Sequence, residues 1–190
     1  MNNVPTNSLI KRGYEDLIQI RIYGPGRKPR VKATENTTIY EIAPNVKLGS
    51  IIEFDSKRSQ QNMKIGYYDA KRMLYGLVGQ IYYIEQTREK WYYKKILEQL
   101  SDIEKAEIAF VLKLPIGYKE EELYLAMLEA SAKILRVSKY QIYKVQRLEE
   151  IVVERYEALD DKLNLPRFVH VFMNIRKDKK MNLKGRSFLT

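Results

Sequence analysis

One stretch, residues 130–147, combines a run of basic side chains with an apolar pattern that few folds satisfy. It contains no acid and five basic residues: Lys133, Arg136, Lys139, Lys144 and Arg147. Its apolar residues are spaced as the buried positions of two short helices that meet at a tight turn: Ala132, Leu135, Val137, Ile142 and Val145. Ser138 stands where an N-cap belongs, and Gln141 three residues later completes a capping box. The sequence therefore predicts a second helix that starts at Lys139 and runs to about Leu163.

This segment resembles the helix-turn-helix unit of bacterial and archaeal DNA-binding regulators, whose usual string reads Ala-x-x-Leu-Gly-Val-Ser-x-x-x-Ile. The turn glycine of that string is Arg136 here, where a left-handed backbone costs ~1 kcal/mol. The resemblance implies a helix-turn-helix-like unit within 120–160 whose second helix meets phosphates and base edges in duplex DNA. The side chains expected on the DNA-facing side are Ser138, Lys139, Tyr140, Gln141, Lys144 and Arg147. The alternative is a plain helix pair, or one long helix, whose basic residues form a solvated face.

Charge is concentrated at the two ends of the chain, and this distribution suggests a polyanion partner. The net charge is +10. Residues 1–60 carry ten Lys and Arg against six Asp and Glu, and residues 166–190 carry seven against one. Basic ends on a neutral body favour nucleic acid as the partner, double-stranded DNA first. A surface bias that aids solubility is the alternative, because the Ile, Lys and Tyr content is similar to that of proteins from thermophilic archaea and their viruses.

The N-terminal segment, 1–58, is predicted to be a basic arm followed by a small β element. Alternation predicts strands at 17–23, 30–34, 37–42 and 50–54, separated by Gly- and Pro-containing turns. The first two would form a hairpin whose tip carries Arg27, Lys28 and Arg30. These cations either enter a groove of DNA or form a solvated loop.

The middle segment, 59–165, is predicted to be helical. From 61 to 100, apolar residues recur at helical spacing, and many tyrosines alternate with lysine and arginine. Such a surface is similar to stacking and phosphate-binding surfaces for nucleic acid. Aromatic stripes also fill cores and subunit interfaces. Ser101 and Glu104 predict a capping box at the start of a shorter helix.

The C-terminal segment, 166–190, is predicted to be a strand followed by a basic tail. Residues 168–175 are apolar and β-branched, so they are expected to return to the N-terminal sheet. The tail cations expected to contact nucleic acid are Arg176, Lys177, Lys179, Lys180, Lys184 and Arg186. The fold class is thus α+β, with a small antiparallel sheet packed on about four helices.

The residue inventory favours a protein without an active site. The chain has no Cys and one His, His170, so thiolate and imidazole metal sites are excluded. It has no phosphate-binding loop and no dinucleotide fingerprint. Neither a cofactor nor a metal is expected. No apolar run reaches the ~18 residues that span a bilayer, so no membrane partner is expected.

Three functions remain open at this level. The first is a non-catalytic DNA-binding protein, dimeric or oligomeric, that uses the helix-turn-helix-like segment and the basic ends in the cytoplasm. The second is a structural nucleoprotein of a virion, such as a capsid or chromatin-like subunit of an archaeal virus, that binds DNA without sequence preference. The third is a nuclease or recombinase.

Overall fold

The chain divides into two compact units, Met1–Leu77 and Val78–Thr190. The structure, a computed structural model, describes residues 5–21, 31–44, 46, 48–49 and 55–184, with side chains up to 176. Seven helices and two pairs of strands lie in this described part. The mixed helical and β class is confirmed. The predicted single antiparallel sheet and four-helix body are wrong, since both strand pairs are parallel.

Unit 1 consists of α1 (Thr6–Lys11), β1 (Asp16–Ile20), β2 (Thr38–Ile42) and α2 (Ser56–Tyr75). The strands expected at 17–23 and 37–42 are therefore present, but they pair in parallel with each other. The predicted return strand at 30–34 is wrong, because residues 31–34 form no strand and are exposed throughout. Val31 and Ala33 would share one face of such a strand, but both are exposed and nothing in the described part covers them. The hairpin tip with Arg27, Lys28 and Arg30 and the predicted strand at 50–54 lie outside the described residues.

Unit 2 is a helical body with one short strand pair. Its elements are β3 (Tyr83–Glu85), α3 (Lys90–Leu97), α4 (Asp102–Val111), α5 (Glu120–Ile134), β4 (Ile142–Lys144), α6 (Val145–Glu157) and α7 (Arg167–Lys184). α5 lies at the centre and contacts α3, α4, α6 and α7. Its buried residues recur at helical spacing, with Leu123, Tyr124, Met127 and Leu128 fully enclosed. The predicted capping box at the start of α4 is confirmed, because Ser101 and Glu104 make both reciprocal bonds.

The single long helical pattern from 61 to 100 is wrong, because two glycines interrupt it. Gly76 has φ +60° and ends α2 in the left-handed conformation that glycine adopts without steric cost. Gly79 has φ +96°, and a Cβ there would lie 2.5 Å from a carboxylate oxygen of Glu129. That carboxylate accepts the backbone N–H groups of Gln80, Ile81 and Tyr82 at 2.9, 2.9 and 2.7 Å. The buried Glu129 thus fixes the loop that leads into β3.

The predicted strand at 168–175 is also wrong, since these residues belong to α7. The buried side chains are Phe168, Val169, Phe172, Met173 and Ile175. This spacing is that of a helix face, whereas a strand would bury alternate residues. The Val and Phe content favours a strand, but the apolar periodicity and the preceding Pro166 favour a helix start.

Buried tyrosines make the stability of unit 2 sensitive to alkaline pH. Burial is the largest cause that raises the pKa of Tyr82 and Tyr124 above 10.0. Above pH 10 the unfolded chain loses these protons first, so we expect stability to fall by roughly 1.4 kcal/mol per pH unit for each such tyrosine. Urea unfolding between pH 8 and 11.5 measures this slope. The Tyr124→Phe variant should show a shallower slope, and an equal slope in both proteins would contradict the assignment.

Candidate nucleic-acid interface

The segment that follows α5 does not form the predicted recognition helix. α5 ends at Ile134, and Arg136 adopts φ +56°, so the left-handed turn expected at this residue is present. Ser138 does not cap a helix; its carbonyl accepts the Tyr143 hydroxyl at 2.6 Å. Residues 142–144 then pair in parallel with β3, and α6 begins only at Val145. The pairing buries Tyr143, and this long-range contact overrides the local helix-start pattern.

The side chains expected on one DNA-facing helix are therefore distributed over three elements. Ser138, Lys139 and Gln141 are exposed in the connection, and Tyr140 is half-buried there. Lys144 lies in β4 directly opposite Glu85. Arg147 lies in α6, 3.0 Å from Glu150 and 3.6 Å from Glu154. Neighbouring carboxylates thus offset much of the charge of Arg147, whereas Lys139 lies in the stretch of sequence that contains no acid.

Four consecutive carbonyl groups of this connection, from Leu135 to Ser138, are held by side chains from other elements. Arg155 donates from one guanidinium nitrogen to the carbonyls of Leu135 and Arg136 at 3.0 and 2.8 Å. The Tyr82 hydroxyl donates to the Val137 carbonyl at 3.0 Å, and the Tyr143 hydroxyl donates to the Ser138 carbonyl. We call residues 133–139 the α5 corner. Its backbone is fixed more completely than an ordinary surface turn requires.

The predicted basic tail is partly a core element. Arg176 lies in α7 with only 16% of its side chain exposed, 2.8 Å from the buried carboxylate of Glu149. It also donates to the Tyr92 hydroxyl at 2.7 Å. Its assignment as a nucleic-acid contact is therefore wrong in this fold. The backbones of Lys177, Lys179, Lys180 and Lys184 continue α7, while their side chains and Arg186 lie outside the described part.

The structure separates the aromatic residues into two groups that the sequence alone does not distinguish. The tyrosines of unit 2 between 82 and 93 are buried: Tyr82, Tyr83, Tyr92 and Tyr93. These confirm the expectation of a core. In unit 1, by contrast, Tyr67 and Tyr75 on α2 are 56% and 65% exposed. Basic residues are as dense around Tyr92 and Tyr93 as around Tyr67 and Tyr75, so no signal in the sequence distinguished the two groups.

One side of α2 displays cations and aromatic rings together. We call this the α2 stripe, and it consists of Gln60, Lys64, Tyr67, Lys71 and Tyr75. Lys71 Nζ lies 4.5 Å from the centroid of the Tyr67 ring, and a hydrogen bond with Tyr67 raises the pKa of Lys71. The opposite side buries Ile65 and Asp69. Across its 20 residues, α2 has five basic residues and a single acid.

That single acid does not reduce the charge of the stripe. Asp69 is buried and lies 2.9 Å from Arg72. The lysines of the stripe, Lys64 and Lys71, lie on a helix whose 20 residues correspond to a length of about 30 Å. Lys64, Tyr67 and Tyr75 are exposed, so the stripe is open to an extended anionic ligand.

The surroundings of the acidic side chains and of the single histidine differ from those of a metal centre in the part of the chain that the structure describes. No three acidic or imidazole side chains come together as metal ligands in the described ranges. His170 lies in α7, not in a strand, and its Nδ1 is 3.0 Å from the Tyr156 hydroxyl. Within those same ranges, no helix has both the length and the apolar content needed to cross a bilayer.

Comparison with protein families, curated proteins and solved structures returns no match to this chain.

Proposed function

We propose that this chain is a non-catalytic protein that binds duplex DNA, mainly through phosphate contacts of α2. The observation that carries this proposal is the α2 stripe, where exposed cations and tyrosines lie on a helix whose only acid is buried and paired. Side chains of this kind attract phosphate by charge and release condensed counterions on binding. The first half of α2 is mostly polar and exposed, so the helix can lie along a groove of duplex DNA. Oligomerisation and a role inside a virion remain part of the same proposal.

Phosphate contacts alone give affinity without sequence preference, and this favours the nucleoprotein function over the regulator. The support for this choice is the chain after α5, where a connection and a short strand stand in place of the base-reading helix expected from Lys139. A sequence-reading function keeps one supporting observation. Ser59 and Gln60 are exposed in the first turns of α2, and both residue types hydrogen-bond to base edges.

Removing the two lysines of the α2 stripe should weaken DNA binding. The Lys64→Ala/Lys71→Ala variant is expected to bind a random duplex at least tenfold less tightly at about 100 mM salt. It should also lower the slope of log K against log salt by about 2, because each lost phosphate contact contributes ~0.9. Fluorescence anisotropy across a salt series measures both quantities.

The matched control removes the same charge from unit 2. Lys94 and Lys95 are exposed on α3, so Lys94→Ala/Lys95→Ala lowers the net charge equally. If both double variants lose affinity and slope alike, binding depends on general charge and not on α2. A preference of ~4 kcal/mol or more for one duplex sequence would favour the regulator instead.

A further inference from the structure

The backbone of the α5 corner is strained at Arg136 and is held in place by hydrogen bonds from other parts of the chain. Arg136 has positive φ, a conformation that glycine adopts readily and arginine rarely. Leu135 and Val137 on either side are buried, so the Arg136 side chain points away from the core and is exposed. A glycine would satisfy the turn with less strain. Such a backbone persists only where the surrounding structure holds it, as the side-chain bonds to the carbonyls of residues 135–138 do here.

Complementing the dipole of α5 does not explain the cations of the corner. Basic residues near a helix C-terminus often offset the partial negative charge of the last carbonyls. Here the guanidinium of Arg155 already occupies that place, bonded to the carbonyls of Leu135 and Arg136. Lys133, Arg136 and Lys139 are exposed, and no acid occurs between residues 130 and 148. Their charge is thus directed to solvent.

The anchoring also lowers the entropic cost of binding an anion at this place. The Arg155, Tyr82 and Tyr143 bonds hold the backbone of the corner before any ligand arrives. Because a preformed site loses less conformational entropy on binding, a few cations suffice for a useful contact. Arginine adds a planar fork that matches two phosphate oxygens at once.

We propose that the α5 corner is a phosphate-binding site for the DNA backbone, with Arg136 at its centre and Lys133 and Lys139 beside it. The site is separate from α2 and reads no bases, so it adds affinity without sequence preference. The choice of DNA as the source of the phosphate rests on the proposed function. The site itself rests on the geometry of unit 2.

The chain contains a matched control for a test of Arg136. Lys113, after α4, is also exposed and left-handed, with φ +57°. Both turns are closed by the same pair of backbone hydrogen bonds. After α5, the N–H groups of Arg136 and Val137 donate to the carbonyls of Lys133 and Ala132. After α4, the N–H groups of Lys113 and Leu114 donate to the carbonyls of Phe110 and Ala109. Arg136→Gly and Lys113→Gly therefore relieve the same strain and remove the same charge.

We expect neither glycine variant to have a lower Tm than the parent chain. Only Arg136→Gly should weaken duplex binding, by about threefold to tenfold, and lower the salt slope by about 1. Arg136→Lys should restore the slope but not the full affinity, because lysine keeps the charge and lacks the fork. Equal losses in the two glycine variants, or no loss in Arg136→Gly, would overturn the proposal.

An NMR titration of the full chain with a short random duplex distinguishes this site from the α2 stripe. Amide shifts at residues 136–139 support the corner, and shifts at 60–75 support the proposed function. Shifts confined to 60–75 would overturn the corner alone. Shifts confined to the corner would remove α2 as the main surface and leave the corner in place. If neither region shifts, both proposals fail, and adding inorganic phosphate alone then shows whether the corner binds any anion.

Discussion

Replacing Glu129 by leucine is expected to destabilise unit 2 by about 4 kcal/mol. The carboxylate accepts three consecutive backbone N–H groups, and at least that of Tyr82 is buried away from water. Hydrogen bonds to a charged acceptor contribute roughly 1.5–3 kcal/mol each, and a buried donor left without a partner adds its own desolvation cost. Urea unfolding followed by circular dichroism measures the loss.

Replacing Glu129 by glutamine distinguishes the roles of its two carboxylate oxygens. Oε1 accepts from Ile81 and Tyr82, while Oε2 accepts from Gln80, which is exposed. A glutamine can keep an acceptor oxygen at the position of Oε1 and place its amide group near Gln80. The backbone N–H of Gln80 can then donate to water instead. We expect Glu129→Gln to cost about 2 kcal/mol. Equal losses for glutamine and leucine would show that the charge, and not the acceptor geometry, holds the loop.

A third variant tests the close approach at the same loop. Because a Cβ at Gly79 would meet Glu129 at 2.5 Å and φ there is +96°, Gly79→Ala should also destabilise unit 2. Gly117 is the control, since it has φ +83° and no atom within 4 Å of an added Cβ. Gly117→Ala measures the backbone strain alone. The difference between the two alanine variants then reports the close approach of Glu129 and of the Tyr82 carbonyl, which would lie 2.7 Å from the added Cβ.

Local signals in the sequence predicted local structure well. The capping box of Ser101 and Glu104 needs only four residues, and both of its bonds are present. The left-handed turn at Arg136 and the helix before it follow from a pattern of about ten residues. Each of these features depends on contacts between residues that are close together in the sequence.

Features that depend on distant partners were not predicted. The helix expected from Lys139 gives way to β4 because Tyr83–Glu85, some sixty residues earlier, supplies a strand for it. Glu129 is one acid among 24 in the sequence, and only the fold shows that it binds the loop at 80–82. Likewise, the tyrosines of α2 and those near residue 92 have similar neighbours in sequence, and burial alone separates them.

The prediction for the C-terminal cations changes for the same reason. Arg176 was grouped with the basic tail because it precedes Lys177, Lys179 and Lys180 in sequence. Helical spacing instead places it on the buried face of α7, four residues after Phe172. A truncation that tests the tail must therefore retain Arg176. Removing it would disturb the core and would hide any loss of phosphate contacts.

Breaking the buried pair of Arg176 and Glu149 is expected to destabilise unit 2 by about 3–5 kcal/mol from either side. Glu149 is fully buried and also accepts the Tyr124 hydroxyl at 2.6 Å. In Arg176→Met, the carboxylate stays in the core without its cation. In Glu149→Leu, the guanidinium is left unpaired and Tyr124 loses its acceptor. Each single variant thus leaves a charge or a polar group without compensation.

The double variant Arg176→Met/Glu149→Leu should lose much less stability than the two single losses combined. Removing both charges removes the desolvation cost together with the attraction, so we expect a coupling energy of about 3 kcal/mol in a double-mutant cycle. Arg147 and Glu150, which are 3.0 Å apart but each more than half exposed, form the control cycle, and no measurable coupling is expected there. Additive losses for Arg176 and Glu149 would show that the pair does not act as a unit. The position of α7 would then depend mainly on Phe172 and the other apolar side chains of its buried face.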